Sequence, residues 1–257
     1  MKHLITVFLF LILSACSATT ESYFTGKTIP IQLIEPPYAD KSKEQNEEIQ
    51  QILKAQKNFN VNELELAARE KFLRPEIFVL YTDLSLTRET YPDLYRLIDR
   101  VSITCKQSND HFKYHWNATR PYLIDKRVNM LITPSPGPGY PSGHVTTATT
   151  ITQVLGMLFP EKKQDLAKLA KRIASRRILV GMHFPHDIAA GEQLSQLVIG
   201  GLFQNEDFLK DLEEARKELV KNPPKNIKPT AAKIKEEPSK EAVAPSVAPN
   251  DQALPAQ

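Results

Sequence analysis

The sequence predicts an all-α fold, a single helical bundle, and three observations carry that prediction. Glycine is scarce: the 257 residues include nine, where average usage of about 7% would give roughly 18. Leu, Lys, Glu and Gln are abundant, and all favour helices over the short strands and turns of a β-barrel. Apolar positions recur at helical spacing through most of the chain from residue 44 to residue 203. Eight of the nine glycines fall between Gly137 and Gly201, so special backbone geometry is expected there and almost nowhere else.

Taken in order, residues 1–16 read as a removable leader. Lys2 precedes an apolar run from Leu4 to Leu13, too short to span a bilayer as a mature helix. The ending Leu13-Ser14-Ala15-Cys16 resembles the lipobox of bacterial lipoproteins. That resemblance implies cleavage before Cys16, a diacylglycerol on its thiol, and anchorage at the outer membrane facing the periplasm, since Ser17 and not Asp follows; an ordinary signal peptide without lipidation would instead give a periplasmic or secreted protein. A lipidated Cys16 leaves Cys105 unpaired, as a small buried hydrophobe. Residues 17–43, polar and with a Pro36-Pro37 pair, read as a tether.

From Glu44 the helical pattern begins, with Ile49, Ile52 and Leu53 on one face. Leu64, Ala67, Ala68 and Phe72 extend a second stretch up to Arg74, ahead of Pro75. The pattern continues near 76–86 and over 91–119, where Leu94, Leu97, Ile98 and Val101 make a face. Five prolines and two glycines between Arg120 and Pro141 forbid a continuous helix there. Helices are predicted again from Ser142 to Phe159, from Lys162 to about Met182, and from Pro185 to about Phe203. Pro185 suits the first turn of the last of these. The stretch from Ile188 to Phe203 is the most apolar, but Glu192, Gln193 and Gln196 interrupt it. The folded part is expected over residues 44–215. Residues 216–257 are expected to be disordered, because seven prolines and no aromatic residue after position 221 offer too little to bury.

The net charge of +3, without a block of five like charges, gives no footprint for nucleic-acid binding. Three segments carry the chemistry: Lys113 to Arg120-Pro121, Pro141-Ser142-Gly143-His144, and Arg177 to His183 and Asp187. Each is weak alone, and together, in this order, they are specific. They resemble the signature of the type 2 phosphatidic acid phosphatase superfamily, K-x6-RP, PSGH and SR-x5-H-x3-D. Among its branches the chain most resembles the soluble bacterial class A acid phosphatases. The resemblance covers most of residues 36–203 and implies the helical bundle shared with vanadium haloperoxidases. One departure stands out: Arg176 occupies the place of the motif serine, with Ser175 one residue earlier.

The residue types fit that chemistry. Lys113, Arg120 and Arg177 would neutralise a phosphate, the arginines bidentately. Pro121 pushes Arg120 out of helical geometry, so Arg120 is expected at a helix end. Ser142 offers a hydroxyl, and Gly143 lets the main-chain N–H come close at a helix start. His183 would be the nucleophile, forming a phosphohistidine, with Asp187 fixing its tautomer. His144 would protonate the leaving group and then activate water. A neutral His183 and a protonated His144 point to a mildly acidic optimum. No metal or other cofactor is called for, because side-chain cations do the electrostatic work.

The expected function is phosphomonoester hydrolysis at the cell envelope, on phosphorylated small molecules or lipids. Three alternatives share the pocket: a lipid phosphate phosphatase, a vanadium haloperoxidase, and a phosphate-binding lipoprotein without turnover. A serine hydrolase lacks its G-x-S-x-G motif. His111 and His115, four apart, form a possible metal pair without a third ligand. His186, beside Asp187, is placed equally well at the pocket mouth or on the surface.

Overall fold

A computed structural model describes residues 21–57, 59–82 and 85–225. The lipobox cysteine Cys16 and residues 226–257 of the expected tail lie outside the described residues. All regular structure among them is helical, with no strand.

Helices α1 (Lys43–Lys57), α2 (Val61–Arg69) and α3 (Pro75–Thr82) precede the long α4 (Pro92–Trp116). A single turn, α5 (Pro121–Ile124), opens the proline-rich connection. Then follow α6 (Gly143–Leu158), α7 (Lys163–Leu179), α8 (Pro185–Phe203) and α9 (Glu206–Lys221). Each end has a local cause. Pro92, Pro121 and Pro185 occupy first turns, where a missing N–H costs nothing. Asn60 and Asn205 accept from N–H groups of the turns that follow them, at 2.9 and 3.0 Å. The carboxylate of Glu218 on α9 accepts from the N–H groups of Asp93 and Leu94 at 3.1 and 3.0 Å, so one helix caps another. Asn117 stops α4 by turning into the left-handed region at φ 46°.

α6 is the central rod, packed on α4, α7 and α8, while α9 lies along α4. Leu94, Leu97, Val101, Cys105 and Phe112 of α4 meet Ala148, Ile151, Val154 and Leu155 of α6 in the main core. The run Thr146-Thr147-Ala148 keeps α6 slim enough for three neighbours to approach.

Three boundaries differ from the sequence expectation. Residues 21–42 are not a loose tether where they are described: Tyr23, Ile29 and Ile34 are buried in the main core. The Tyr23 hydroxyl donates to Asp211 at 2.7 Å, its ring lies under the Arg100 guanidinium, and its N–H donates to Thr104. Gly26 lets this strap touch α4, since a Cβ there would sit 2.4 Å from Ser108 Cα. At the other end α9 runs to Lys221 and buries Leu219, so the fold passes residue 215. The second helix stops at Arg69, which leaves Phe72 64% exposed and off any apolar face.

Candidate active site

The three sequence segments converge at the ends of α4, α6, α7 and α8. Lys113 lies in the last turn of α4, and its Nζ donates to the carbonyls of Pro138 and Gly139 at 2.7 and 3.0 Å. Burial, then the nearby Arg120, lowers its ammonium to about 7. α4 ends before Arg120, so the two cations do not share a helix face; Arg120 is extended, as its following proline demands. Its guanidinium is buried and grips the same loop, donating to Gly137 O at 2.9 Å and Pro138 O at 3.0 Å. A third bond runs to Met182 O at 3.1 Å, and Nη1 stands 3.5 Å from His183 Nε2.

Ser142 and Gly143 start α6. The Ser142 side chain is fully buried, yet Oγ finds no hydrogen-bond partner among the described residues. A buried hydroxyl in that state is costly unless something else satisfies it. Its main chain is fixed from two sides, with Ser142 N donating to Asp187 O at 3.0 Å and Thr146 N to Ser142 O at 3.0 Å. Asn109 of α4 donates to Thr146 Oγ1 at 2.9 Å and lies against Gly143, where a Cβ would come within 3.2 Å of its Oδ1. Gly143 therefore keeps this corner thin as well as its own N–H accessible.

Arg177, in the last turn of α7, is buried and donates from Nη2 to Ala67 O at 2.9 Å. Its Nε also lacks a partner among the described residues. Burial brings the guanidinium down to about 10, so it stays charged at neutral pH. Gly181, at φ 75°, turns the chain from α7 toward His183, and a Cβ there would strike Asn129 O at 2.7 Å.

His183 is 2% exposed. Its Nδ1 lies 3.0 Å from Asp187 Oδ2, which also accepts from Phe184 N at 3.0 Å. The carboxylate thus holds the Nδ1 proton and leaves the Nε2 lone pair facing Arg120. Burial, then Arg120, Lys113, His144 and Arg177, holds the imidazole well below its ordinary range. Burial pushes Asp187 up to about 6, with His186 opposing. His144 places Nε2 3.0 Å from Glu70 O, so that nitrogen donates and Nδ1 carries the lone pair. Burial, then Arg177, pushes His144 down to about 3. His144 is thus held toward its neutral form, as His183 is.

Three contributors escaped the motif reading. Asn109 buttresses the start of α6, as above. Glu48 of α1 accepts from His186 N at 2.9 Å and from its Nδ1 at 2.5 Å, seating the first turn of α8. Glu70, at the end of α2, is fully buried and pairs with Arg176. Only Glu70 leaves a trace in the sequence, through Arg176 at the motif serine's place. The histidine between Glu48 and Tyr38 is thus neither loose nor on open surface: His186 lies 4.4 Å, ring to ring, from Tyr38. Among the described residues, no group of three or more His, Cys, Asp or Glu is placed to hold a metal ion, and His111 and His115 form no such group.

A slim all-helical frame with a buried, carboxylate-held imidazole among three cations defines an anion-handling site of the helical-bundle type. Residues 101–209 match the model of the PAP2 superfamily. It is 31% identical over 134 residues to an acid phosphatase of Zymomonas mobilis subsp. mobilis, covering 51% of each chain. It is 32% identical over 80 residues to a non-specific acid phosphatase of Salmonella typhi, covering 31% of this chain and 32% of that one. A non-specific acid phosphatase of Providencia stuartii is 28% identical over 82 residues, 32% of this chain and 33% of its own. The chain spans about half the length of the first of these relatives and about a third of the others.

Proposed function

We propose that this chain is a phosphomonoesterase that works through a phosphohistidine at the bacterial cell envelope. One observation carries the reading. Two buried donors, Ser142 Oγ and Arg177 Nε, have no partner among the described residues, in a site whose cations all act on a neutral His183. A phosphoryl group, with its three acceptor oxygens, completes both. The acid phosphatase relatives support the substrate class.

The phosphate oxygens take up Lys113, Arg120, Ser142, the Gly143 N–H and Arg177. His183 Nε2 attacks phosphorus, the ester P–O bond breaks, and the leaving alkoxide takes a proton from His144 Nδ1. Asp187 stabilises the imidazolium that forms. Neutral His144 then removes a proton from water, the water oxygen attacks phosphorus, and the P–N bond breaks to release inorganic phosphate. The incoming anion supplies the proton balance: its negative charge offsets Arg177 and Lys113, so His144 is protonated when substrate is bound. In this scheme side-chain cations carry the transition-state charge.

The chain would work from a lipid on Cys16, with phosphorylated small molecules or lipids as substrates. No helix among the described residues is long and apolar enough to cross a membrane. The test is phosphate release from an aryl phosphate by the purified full chain, with and without EDTA. The expected result is turnover indifferent to EDTA and lowered about 10³-fold or more in His183→Ala. Wild-type turnover in His183→Ala overturns the nucleophile, and loss with EDTA overturns the metal-free scheme.

A further inference from the structure

Arg176 has no place in that scheme, although it is as buried as Arg177. Its guanidinium is spoken for by acids. Nε donates to Glu70 Oε2 at 2.8 Å, Nη2 to Glu70 Oε1, and Nη1 to Glu63 Oε2 at 2.9 Å. Glu70 is fully buried, and its Oε2 also lies 3.4 Å from Arg177 Nη2. The main-chain carbonyl of the same residue receives His144 Nε2. One residue thus touches both a phosphate-binding arginine and the acid-base histidine, and it lies outside residues 101–209.

We propose that Glu70 is a positioning residue of the phosphate site, and that Arg176 replaces the motif serine in order to hold it. The proposal rests on the phosphatase reading above. The physical reason is a competition for Arg177. A buried carboxylate beside a phosphate-binding arginine is a rival anion: left free, it draws the guanidinium away from substrate. Arg176 takes both carboxylate oxygens in a fork, which leaves Arg177 only the longer contact. Arg177 then keeps Nε for phosphate and spends Nη2 on Ala67 O and Glu70. With Glu70 fixed, its carbonyl holds His144 with Nε2–H occupied and Nδ1 turned to the leaving group. A serine at 176 would leave Glu70 with Arg177 alone, so residues 70 and 176 work as a pair.

The test measures inorganic phosphate affinity by calorimetry, with kcat and KM for an aryl phosphate. It uses the full chain, Arg176→Ser, Glu70→Gln and the double variant. Arg176→Ser is expected to weaken phosphate binding about tenfold or more, with KM rising more than kcat falls. Glu70→Gln removes a counter-charge from two arginines and is expected to tighten phosphate binding about threefold or more, with KM and kcat both falling. The double variant should return to within about threefold of the parent. If Arg176→Ser fails to fold, Arg176→Lys takes its place, with weaker binding again expected because the fork is lost.

Weakened binding in both single variants, or a double variant worse than either, makes the pair mere packing and overturns the proposal. Binding in the expected order without ester turnover overturns the phosphatase reading and leaves Glu70 in its role. Normal turnover with unchanged affinities does the reverse. A parent chain that binds no phosphate overturns both.

Discussion

Ser142 separates stability from function within one side chain. Its hydroxyl is buried with no partner among the described residues, so it contributes little to holding the chain together and is free for the phosphate contact proposed above. Ser142→Ala should therefore leave urea stability unchanged or raised by up to about 1 kcal/mol, while kcat/KM falls about 10- to 100-fold. A parallel fall in both would show that the hydroxyl is structural. At this scale the sequence is most informative about placement, because the motifs fix residue types and spacing. Lys113, Arg120, Ser142, Gly143, His144, Arg177, His183 and Asp187 were all named from their motifs, and the fold gathers them. Glu48, Glu70 and Asn109 were not, since each is an ordinary polar residue on a helix whose burial is settled only by tertiary packing. The downward shift of His144 is hidden from the sequence for the same reason: burial and Arg177, not sequence neighbours, set it.

Among the elements, the strap over residues 21–34 shows where sequence reading fails. It has too few apolar residues and too many breaks for periodicity to register, yet it fills a groove between α4 and α9 with Tyr23 and caps the core with Ile29 and Ile34. One signal was present: Gly26 is the single glycine outside the 137–201 region. Its job is close approach, not an unusual dihedral. Gly26→Ala should lower stability by about 1–3 kcal/mol in denaturant titration, because the obstacle is the α4 backbone and cannot swing aside. An unchanged midpoint would mean that the strap contributes nothing to the fold. The long helices fared better, since α4, α6 and α8 lie within a few residues of their predicted spans. Their starts are marked by proline or by the Ser-Gly step, and their faces by strong periodicity.

For the whole molecule, the site's charge arrangement is a tax on folding at low pH. His144 is held near 3 and His183 well below its ordinary value of 6.5. The unfolded chain therefore binds more protons below pH 6.5, and stability falls as pH falls. Asp187 works the other way: held up near 6, it favours the fold as pH drops from about 6 toward 4. The histidines outnumber it, so urea stability should decrease by about 2 kcal/mol between pH 6.5 and 5. His144→Asn should flatten that slope, and a slope that survives unchanged would place the titration elsewhere. If the pocket binds phosphate as proposed, inorganic phosphate should offset the loss, since the unfolded chain has no such site.

The folded strap also sets a working radius. With Cys16 lipidated as proposed, five peptide steps lead to Glu21, whose carbonyl already accepts from Arg100. Fully stretched, those steps reach at most about 18 Å. The protein would ride against the bilayer on a short leash, sampling the thin layer of solutes and headgroups beside it and leaving the wider periplasm to diffusion.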